Sequence, residues 1–418
     1  MQAEVITIGD EILIGQTVDT NSAWIAEQLN LIGVSIYQIT SISDTREHIL
    51  EALETASKRS NLVILTGGLG PTRDDITKVT LCEFFDTELE MNEDVLARIT
   101  DYFERRKKKM LDSNVQQAML PKSAQTILNV RGTASGMWFE KDGTVFISMP
   151  GVPYEMKGLM KDELLNKIAQ HFDRPAIYHK TILTLGIGES FLVEKVKDWE
   201  NSLDEANVKI AYLPSPGRVK VRLSAYGDRI EDLEKRVEAK ASEFENLAAE
   251  WIYGTNGDLL EEVVGELLRD SKSTLAAAES CTGGMVSHMI TSVSGSSDYF
   301  LGSIVSYANE VKTGQLGVSE QSLKDHGAVS QPVVEQMALG VRKALGADYG
   351  VATSGIAGPS GGTPEKPVGT IWIAVASPQS VVSKCLHLGN SRSRNIEVTA
   401  YQVLDLLRKE LLVAERKH

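Results

Sequence analysis

An apolar run that stops in hydroxyls and two glycines, then turns at once into an amphipathic helix, constrains this chain more than any other stretch. Residues Ala276-Ala277-Ala278-Glu279-Ser280-Cys281-Thr282-Gly283-Gly284 precede a helix expected to begin at Met285. A strand joined to a helix by so short a loop is the unit of a layered α/β domain. It exposes helix-start N–H groups beside two hydroxyls, so one loop can hold both a nucleophile and an oxyanion or phosphate site. Tyr307-Ala308-Asn309-Glu310-Val311-Lys312 and Ser354-Gly355-Ile356-Ala357-Gly358-Pro359 each follow a further apolar run in the same region. Loops at strand ends are where α/β sheets assemble their active sites.

The remainder of the 418-residue chain repeats this alternation with one interruption, and its length suggests roughly two to four domains. Over residues 1–172, strands are expected at 5–8, 34–40, 62–66 and 145–148. Helices are expected at 22–32, 45–59 and 74–86, which is βαβ order with a mostly parallel sheet. Residues 173–253 change character: strand 177–185, helix 189–199, strands 208–213 and 218–226 about Pro214-Ser215-Pro216-Gly217, then a charged helix over 231–247. This βαββα unit resembles a small KH-like α+β module. The glycine and Asx cluster Tyr253-Gly254-Thr255-Asn256-Gly257-Asp258 then opens a second α/β region, residues 254–418. The fold class is therefore α/β in three domains.

Composition narrows the partners. A net charge of −14 disfavours nucleic acid, which needs a basic face. In the KH-like unit Leu213–Gly217 is a plain turn, and no Gly-x-x-Gly clamp follows a helix. The run Arg105-Arg106-Lys107-Lys108-Lys109 reads as the solvated C-terminal end of a helix. Cys82, Cys281 and Cys385 are far apart, which argues against a disulfide framework or a zinc site. No stretch approaches the ~20 apolar residues of a membrane span, and Met1-Gln2-Ala3-Glu4-Val5 enters a strand without a basic leader. A cytoplasmic chain, without membrane contact, is expected.

A candidate phosphate site stands in the first segment. The strand 62–66 runs into Gly67-Gly68-Leu69-Gly70-Pro71-Thr72-Arg73-Asp74-Asp75, where glycines let backbone amides approach an anion and Thr72 adds a hydroxyl. Asp74 and Asp75 suit a divalent cation such as Mg²⁺, or one of them caps the helix that follows. Gly9-Asp10-Glu11-Ile12-Leu13, with Asn21 opening the next helix, and Met149-Pro150-Gly151-Val152-Pro153-Tyr154-Glu155-Met156 end two other strands. In a parallel sheet these ends share one side. Asp10, Asp74, Asp75 and Glu155 are thus expected around a metal-bound phosphate, with Thr66, Gly67, Gly68, Gly70, Thr72, Asn21, Pro150 and Gly151 contacting the nucleotide.

Those three loops resemble the signature of the molybdopterin-binding fold as it occurs in the CinA family, the competence/damage-inducible proteins. The order of that fold, a KH-like insert and a C-terminal amidase-like domain is similar to full-length CinA over essentially the whole chain. The resemblance implies a divalent-metal-dependent pyrophosphatase acting on ADP-ribose in the N-terminal domain. It implies a deamidase acting on nicotinamide mononucleotide, with no cofactor, in the C-terminal one. The alternative is that the N-terminal domain only binds a nucleotide or molybdopterin, and that the protein acts in competence or DNA damage through partners. A homodimer is expected.

For amide hydrolysis, Ser280 is the expected nucleophile, with Thr282 second and the N–H groups near Gly283 and Gly284 as oxyanion donors. Lys312 is the expected base, since Ser–Lys pairs are an alternative to Ser–His–Asp. Tyr307-x-Asn309-x-x-Lys312 resembles the family's Tyr/Ser-Asn-x-x-Lys motif, which implies Tyr307 and Asn309 beside that base. Cys281, His288 and His326 are expected to be structural. Substrate holding falls to Ser354, Gly355, Ala357 and Gly358, and to Arg392 as reader of a 5′-phosphate with Arg394 as a second candidate. Here the family's Gly-Asp/Asn-Arg becomes Gly389-Asn390-Ser391-Arg392. Thr363–Gly369 is expected to form a mobile loop over the site.

Overall fold

In the first sheet, the central strands are buried on both faces. The computed structural model of the protein describes residues 1–72 and 75–415. Strand β1 (Gln2–Ile8) is buried from Ala3 onward, as a strand between two helical layers must be. Its side chains alternate between two cores: Ile6 and Ile8 pack with Leu53 and Phe146, whereas Ala3 and Val5 pack with Ile25 and Trp138. The strands that follow are β2 (Ser35–Ile42), β3 (Leu62–Thr66), β4 (Leu89–Met91), β5 (Met119–Pro121), β6 (Gln125–Ile127), β7 (Gly136–Lys141) and β8 (Thr144–Met149). The sheet order is β2-β1-β3-β8-β7-β6, with β4 and β5 paired separately.

The strands β2, β1, β3 and β8 are mutually parallel, as expected, while β7 and β6 extend the sheet antiparallel. Helices Asn21–Leu31, Arg46–Ser57 and Thr77–Phe84 occupy the expected places. Because β2 and β3 lie on opposite sides of β1, the chain reverses direction across the sheet there. The crevice at the carboxyl ends of β1 and β3 is where such a sheet takes a ligand.

The chain divides into two compact units, Met1–Tyr178 with Tyr226–Leu233, and His179–Ala225 with Glu234–His418. In the second unit, β9 (Ala176–Leu185), β10 (Lys209–Ser215), β11 (Arg218–Gly227) and β12 (Ile252–Thr255) form a sheet of order β10-β11-β9-β12. Gly254, read from sequence as the domain boundary, lies inside β12, which pairs with β9. The turn comes just after it, where Asp258 Oδ2 accepts Thr255 N at 2.7 Å. Leu183, Leu185 and Tyr253 share one apolar cluster with Leu260, Leu404 and Leu407, so the middle and last segments have a common core.

The last sheet comprises β13 (Leu275–Glu279), β14 (Phe300–Val305), β15 (Tyr349–Gly355), β16 (Thr370–Ala376) and β17 (Val381–His387), in the order β14-β13-β15-β16-β17. The strands β14, β13 and β15 are parallel, β16 pairs antiparallel with β15, and β17 pairs antiparallel with β16 and so runs along β15. The loops after β13, β14 and β15 therefore meet at one edge. The start of β16 and the end of β17 reach the same edge, and there helix Arg392–Glu415 begins. No helix among the described residues is long and apolar enough to cross a membrane.

Candidate functional site

Three loops from the last sheet close a cavity of about 210 Å³ lined by Ser280, Cys281, Tyr307, Asn309, Lys312, Ala328, Val329, Ser354, Gly355, Ala357 and Arg392. At its floor Lys312 Nζ lies 3.1 Å from Ser280 Oγ, 2.6 Å from Ser306 O and 3.3 Å from Tyr307 O. Lys312 is 1% exposed, and burial pushes its ammonium below the ordinary lysine value, against the opposing influence of Cys281 and Glu310. The ammonium finds three acceptors. When it loses one proton, the two carbonyls, which can only accept, keep the two remaining N–H groups, and the lone pair is left facing Ser280.

The glycines do something other than the sequence suggests. Gly283 and Gly284 have φ of +60° and +108°, backbone that side chains resist, and they fold the loop back onto the strand. Their N–H groups are already engaged: Gly283 N donates to Ser280 O at 3.3 Å, and Gly284 N to Glu279 Oε2 at 2.9 Å. The carboxylate of Glu279, 1% exposed, also accepts from Val286 N, Ser287 N and Ser287 Oγ at 3.1, 2.8 and 2.5 Å. It thus caps helix Met285–Ser292 and pins the loop that carries Ser280. Gly283, Gly284 and Thr282 do not line the cavity. The Thr282 hydroxyl is paired with Thr353 Oγ1 at 2.7 Å. The expected oxyanion donors and second nucleophile are thus engaged within the loop and do not face the cavity.

The rim brings most of the other expected residues together. Arg392 donates to Gly358 O at 3.0 Å and to the Tyr307 hydroxyl at 3.3 Å, and Ser354 Oγ donates to Ala328 O at 2.7 Å. A Cβ on Gly355 would run into Ile371, so only glycine lets this loop lie against the sheet. Gly358 stands behind the lining and Arg394 lines a different cavity. His288 and His326 are exposed and outside the lining. Cys281 does line it, but burial pushes its thiol up to about 12, leaving little thiolate. Lys366, from the loop expected to be mobile, donates to His326 O and Val329 O at 2.6 and 2.8 Å. Ala328, Val329 and Asn395 were not read from sequence. Asn395, 1% exposed, bridges the Ala357 and Gly389 carbonyls at 3.0 and 2.7 Å, an i+3 position on the last helix with no motif to mark it.

In the first unit a cavity of about 410 Å³ opens at the carboxyl ends of β1, β3 and β8. Thr66, Gly67, Gly68, Gly70, Asn21, Pro150 and Gly151 all line it. Asn21 Nδ2 donates to Thr66 Oγ1 at 3.2 Å and to Gly151 O at 2.7 Å, tying helix Asn21–Leu31 to two strand ends, while its Oδ1 is buried without a partner. Gly67 has φ +120°, and a Cβ there would strike Ile8 O. Thr72 is not in the lining; its N–H and hydroxyl hold Asp75 Oδ2, the former at 2.9 Å.

The four expected metal ligands fare unequally. Asp75 and Glu155 line the cavity, Asp10 is exposed outside it on the single turn Asp10–Leu13, and Asp74 lies outside the described residues. Glu11, the next residue, lines the cavity instead. Glu155 accepts from Asn129 Nδ2 at 2.6 Å, and burial pushes its carboxyl up. Among the described residues no three His, Cys, Asp or Glu are grouped to hold a metal. Mg²⁺ asks less, one or two carboxylates with substrate phosphates and water completing its shell. Asp75 and Glu155 are the two of the expected carboxylates that line the cavity.

Comparison with known proteins extends over the whole chain. Three family models match: a probable molybdopterin binding domain over residues 4–171, the damage-inducible protein CinA KH domain over 179–254, and the CinA C-terminal domain over 258–411. A CinA-like protein of Cytophaga hutchinsonii is 48% identical over 98% of both chains, and one of Flavobacterium psychrophilum is 46% identical over 99% of both. A crystallised protein CinA of unknown function from Thermoplasma acidophilum is 35% identical, covering 40% of this chain and 97% of its own, with a TM-score of 0.37.

Proposed function

Since this chain belongs to the CinA family, we propose that its C-terminal domain hydrolyses the carboxamide of nicotinamide mononucleotide to nicotinate mononucleotide and ammonia. The observation that carries this reading is the buried Lys312 amine 3.1 Å from Ser280 Oγ with two carbonyls fixing its orientation. Ser280 Oγ attacks the amide carbon as its proton passes to Lys312 Nζ. The ammonium so formed protonates the departing nitrogen, the C–N bond breaks, and ammonia leaves an ester on Ser280. Water then attacks that ester, giving its proton to Lys312, and the serine is released as the acid forms. Arg392, at the start of its helix, offers a guanidinium to the substrate's phosphate.

Only neutral Lys312 can accept the first proton, so the rate should climb with pH and level off. Because burial lowers the folded-state pKa, the midpoint of that rise should fall below the ordinary lysine value of 10.5. Measuring kcat/KM for ammonia release between pH 6 and 10 in the presence of a chelator tests this. A rate independent of pH over that range, or one abolished by the chelator, contradicts the Ser–Lys reading.

For the N-terminal domain we propose divalent-metal-dependent cleavage of the pyrophosphate of ADP-ribose, with Asp75 and Glu155 holding the ion. The metal would neutralise charge on the phosphates when bound. This chain's residues shape the glycine-lined crevice and hold Asp75 through Thr72. Asp75→Asn should raise the metal concentration needed for half-maximal cleavage by about 10–100-fold. An unchanged metal dependence would remove Asp75 from this role.

A further inference from the structure

The second unit contains another cavity, about 630 Å³, three times the volume of the one at Ser280 and sharing no lining residue with it. It lies between the turn Gly186–Glu189 after β9, the β10–β11 turn, strand β17 and the first turns of helix Arg392–Glu415. Lys384 and His387 of β17 and Arg394 of the helix are all exposed members of its lining, and Lys384 Nζ donates to Gln402 Oε1 at 3.3 Å. Arg218 closes one end, paired to Glu397 at 2.9 Å and stacked 3.7 Å over Tyr401, with its Nε buried and without a partner. In a chain of net charge −14 this is a local concentration of cations.

The remaining wall has two characters. Ile187, Pro214, Leu386 and Val398 make up its apolar part, and a Cβ added at Gly217, φ +72°, would come 3.2 Å from Val398, so glycine lets the β10–β11 turn approach. Glu189 is the single carboxylate among the described lining residues. We propose that this cavity is a second ligand site, taking a phosphate monoester that carries a flat ring on a sugar, the nucleoside monophosphate class. Lys384 and Arg394 receive the phosphate, since a guanidinium fork and an ammonium match its oxygens. The apolar part takes the ring, and Glu189 accepts from sugar hydroxyls. The volume suits such a ligand, small-molecule sites commonly spanning roughly 300–1,000 Å³. Arg394, which the sequence offered as a second phosphate reader for the amide site, is assigned here instead. This assignment stands whether or not Ser280 is a nucleophile.

Cys385 lines the same cavity and provides a local reporter. Alkylation of Cys385 in the full chain by N-ethylmaleimide, followed by mass spectrometry of its peptide, should become roughly tenfold slower when AMP is present at ten times its Kd. That protection should vanish in the double variant Lys384→Gln/Arg394→Gln, whose unliganded alkylation rate and Tm verify that it folds. Adenosine alone and inorganic phosphate alone, at the same concentration, should each protect less. Equal protection by inorganic phosphate would overturn the nucleotide assignment. Absence of protection, or its persistence in the double variant, would overturn the site.

Discussion

Lys312→Met should lower ammonia release from nicotinamide mononucleotide by at least about 10³-fold in kcat, while the fold is retained. Methionine occupies nearly the same volume and cannot take a proton. The stability consequence has a definite sign. In the folded protein the Lys312 pKa is lowered by burial, so between that pKa and the unfolded value of 10.5 the unfolded chain binds more protons. Wild-type stability therefore contains a contribution that increases with pH across this window and is absent from the variant. Denaturant unfolding of both proteins at pH 7 and at pH 10 should show the wild type gaining on the variant at the higher pH. A variant that retains its kcat, or a stability difference that shrinks as pH rises, would contradict a buried base at this position.

Glu279→Ala should be the most destabilising single change around the site. It removes the acceptor of three backbone N–H groups and one hydroxyl, all near a carboxylate that is 1% exposed. Stranding buried donors costs about 1–3 kcal/mol each, with partial relief from water entering the space, so a loss of roughly 3–5 kcal/mol is expected. Glu279→Gln keeps one oxygen acceptor and should lose about 1–2 kcal/mol. The loop bearing Ser280 is pinned by the same carboxylate, so activity in Glu279→Ala should fall along with the midpoint of chemical denaturation. An alanine variant within about 0.5 kcal/mol of wild type would show that the helix start is satisfied in some other way.

What could be read from sequence was what strand-end geometry dictates. Ser280, the segment Tyr307–Lys312, Ser354 and Arg392 are far apart in the chain, yet β13, β14 and β15 run parallel and β17 ends on the same side, so the segments that follow these strands must meet. The same logic gathered Thr66, Gly67, Gly151 and Glu155. Glu279 escaped because capping signals are sought within three residues of a helix start, and it lies six before Met285, brought there by two left-handed glycines. The sequence points to Asp10, yet Glu11 lines the crevice, because which of the two faces it depends on a single helical turn. The hairpin of β7 and β8 carried a usable signal, Asp142-Gly143, both at positive φ, but β4, β5 and β6 are three residues each and show no period. Arg394 illustrates the reverse case: two residues from Arg392 on one helix, it points to another cavity, because residues that close in number do not share a helical face.

Ammonia release from nicotinamide mononucleotide, measured side by side for the wild type, Ser280→Ala and Cys281→Ala in the presence of a chelator, tests the nucleophile most directly. Loss of activity by about 10³-fold or more in Ser280→Ala, with Cys281→Ala within about threefold of wild type, is the predicted result. Retained release in Ser280→Ala, or its abolition only in Cys281→Ala, would contradict a hydroxyl activated by a buried amine.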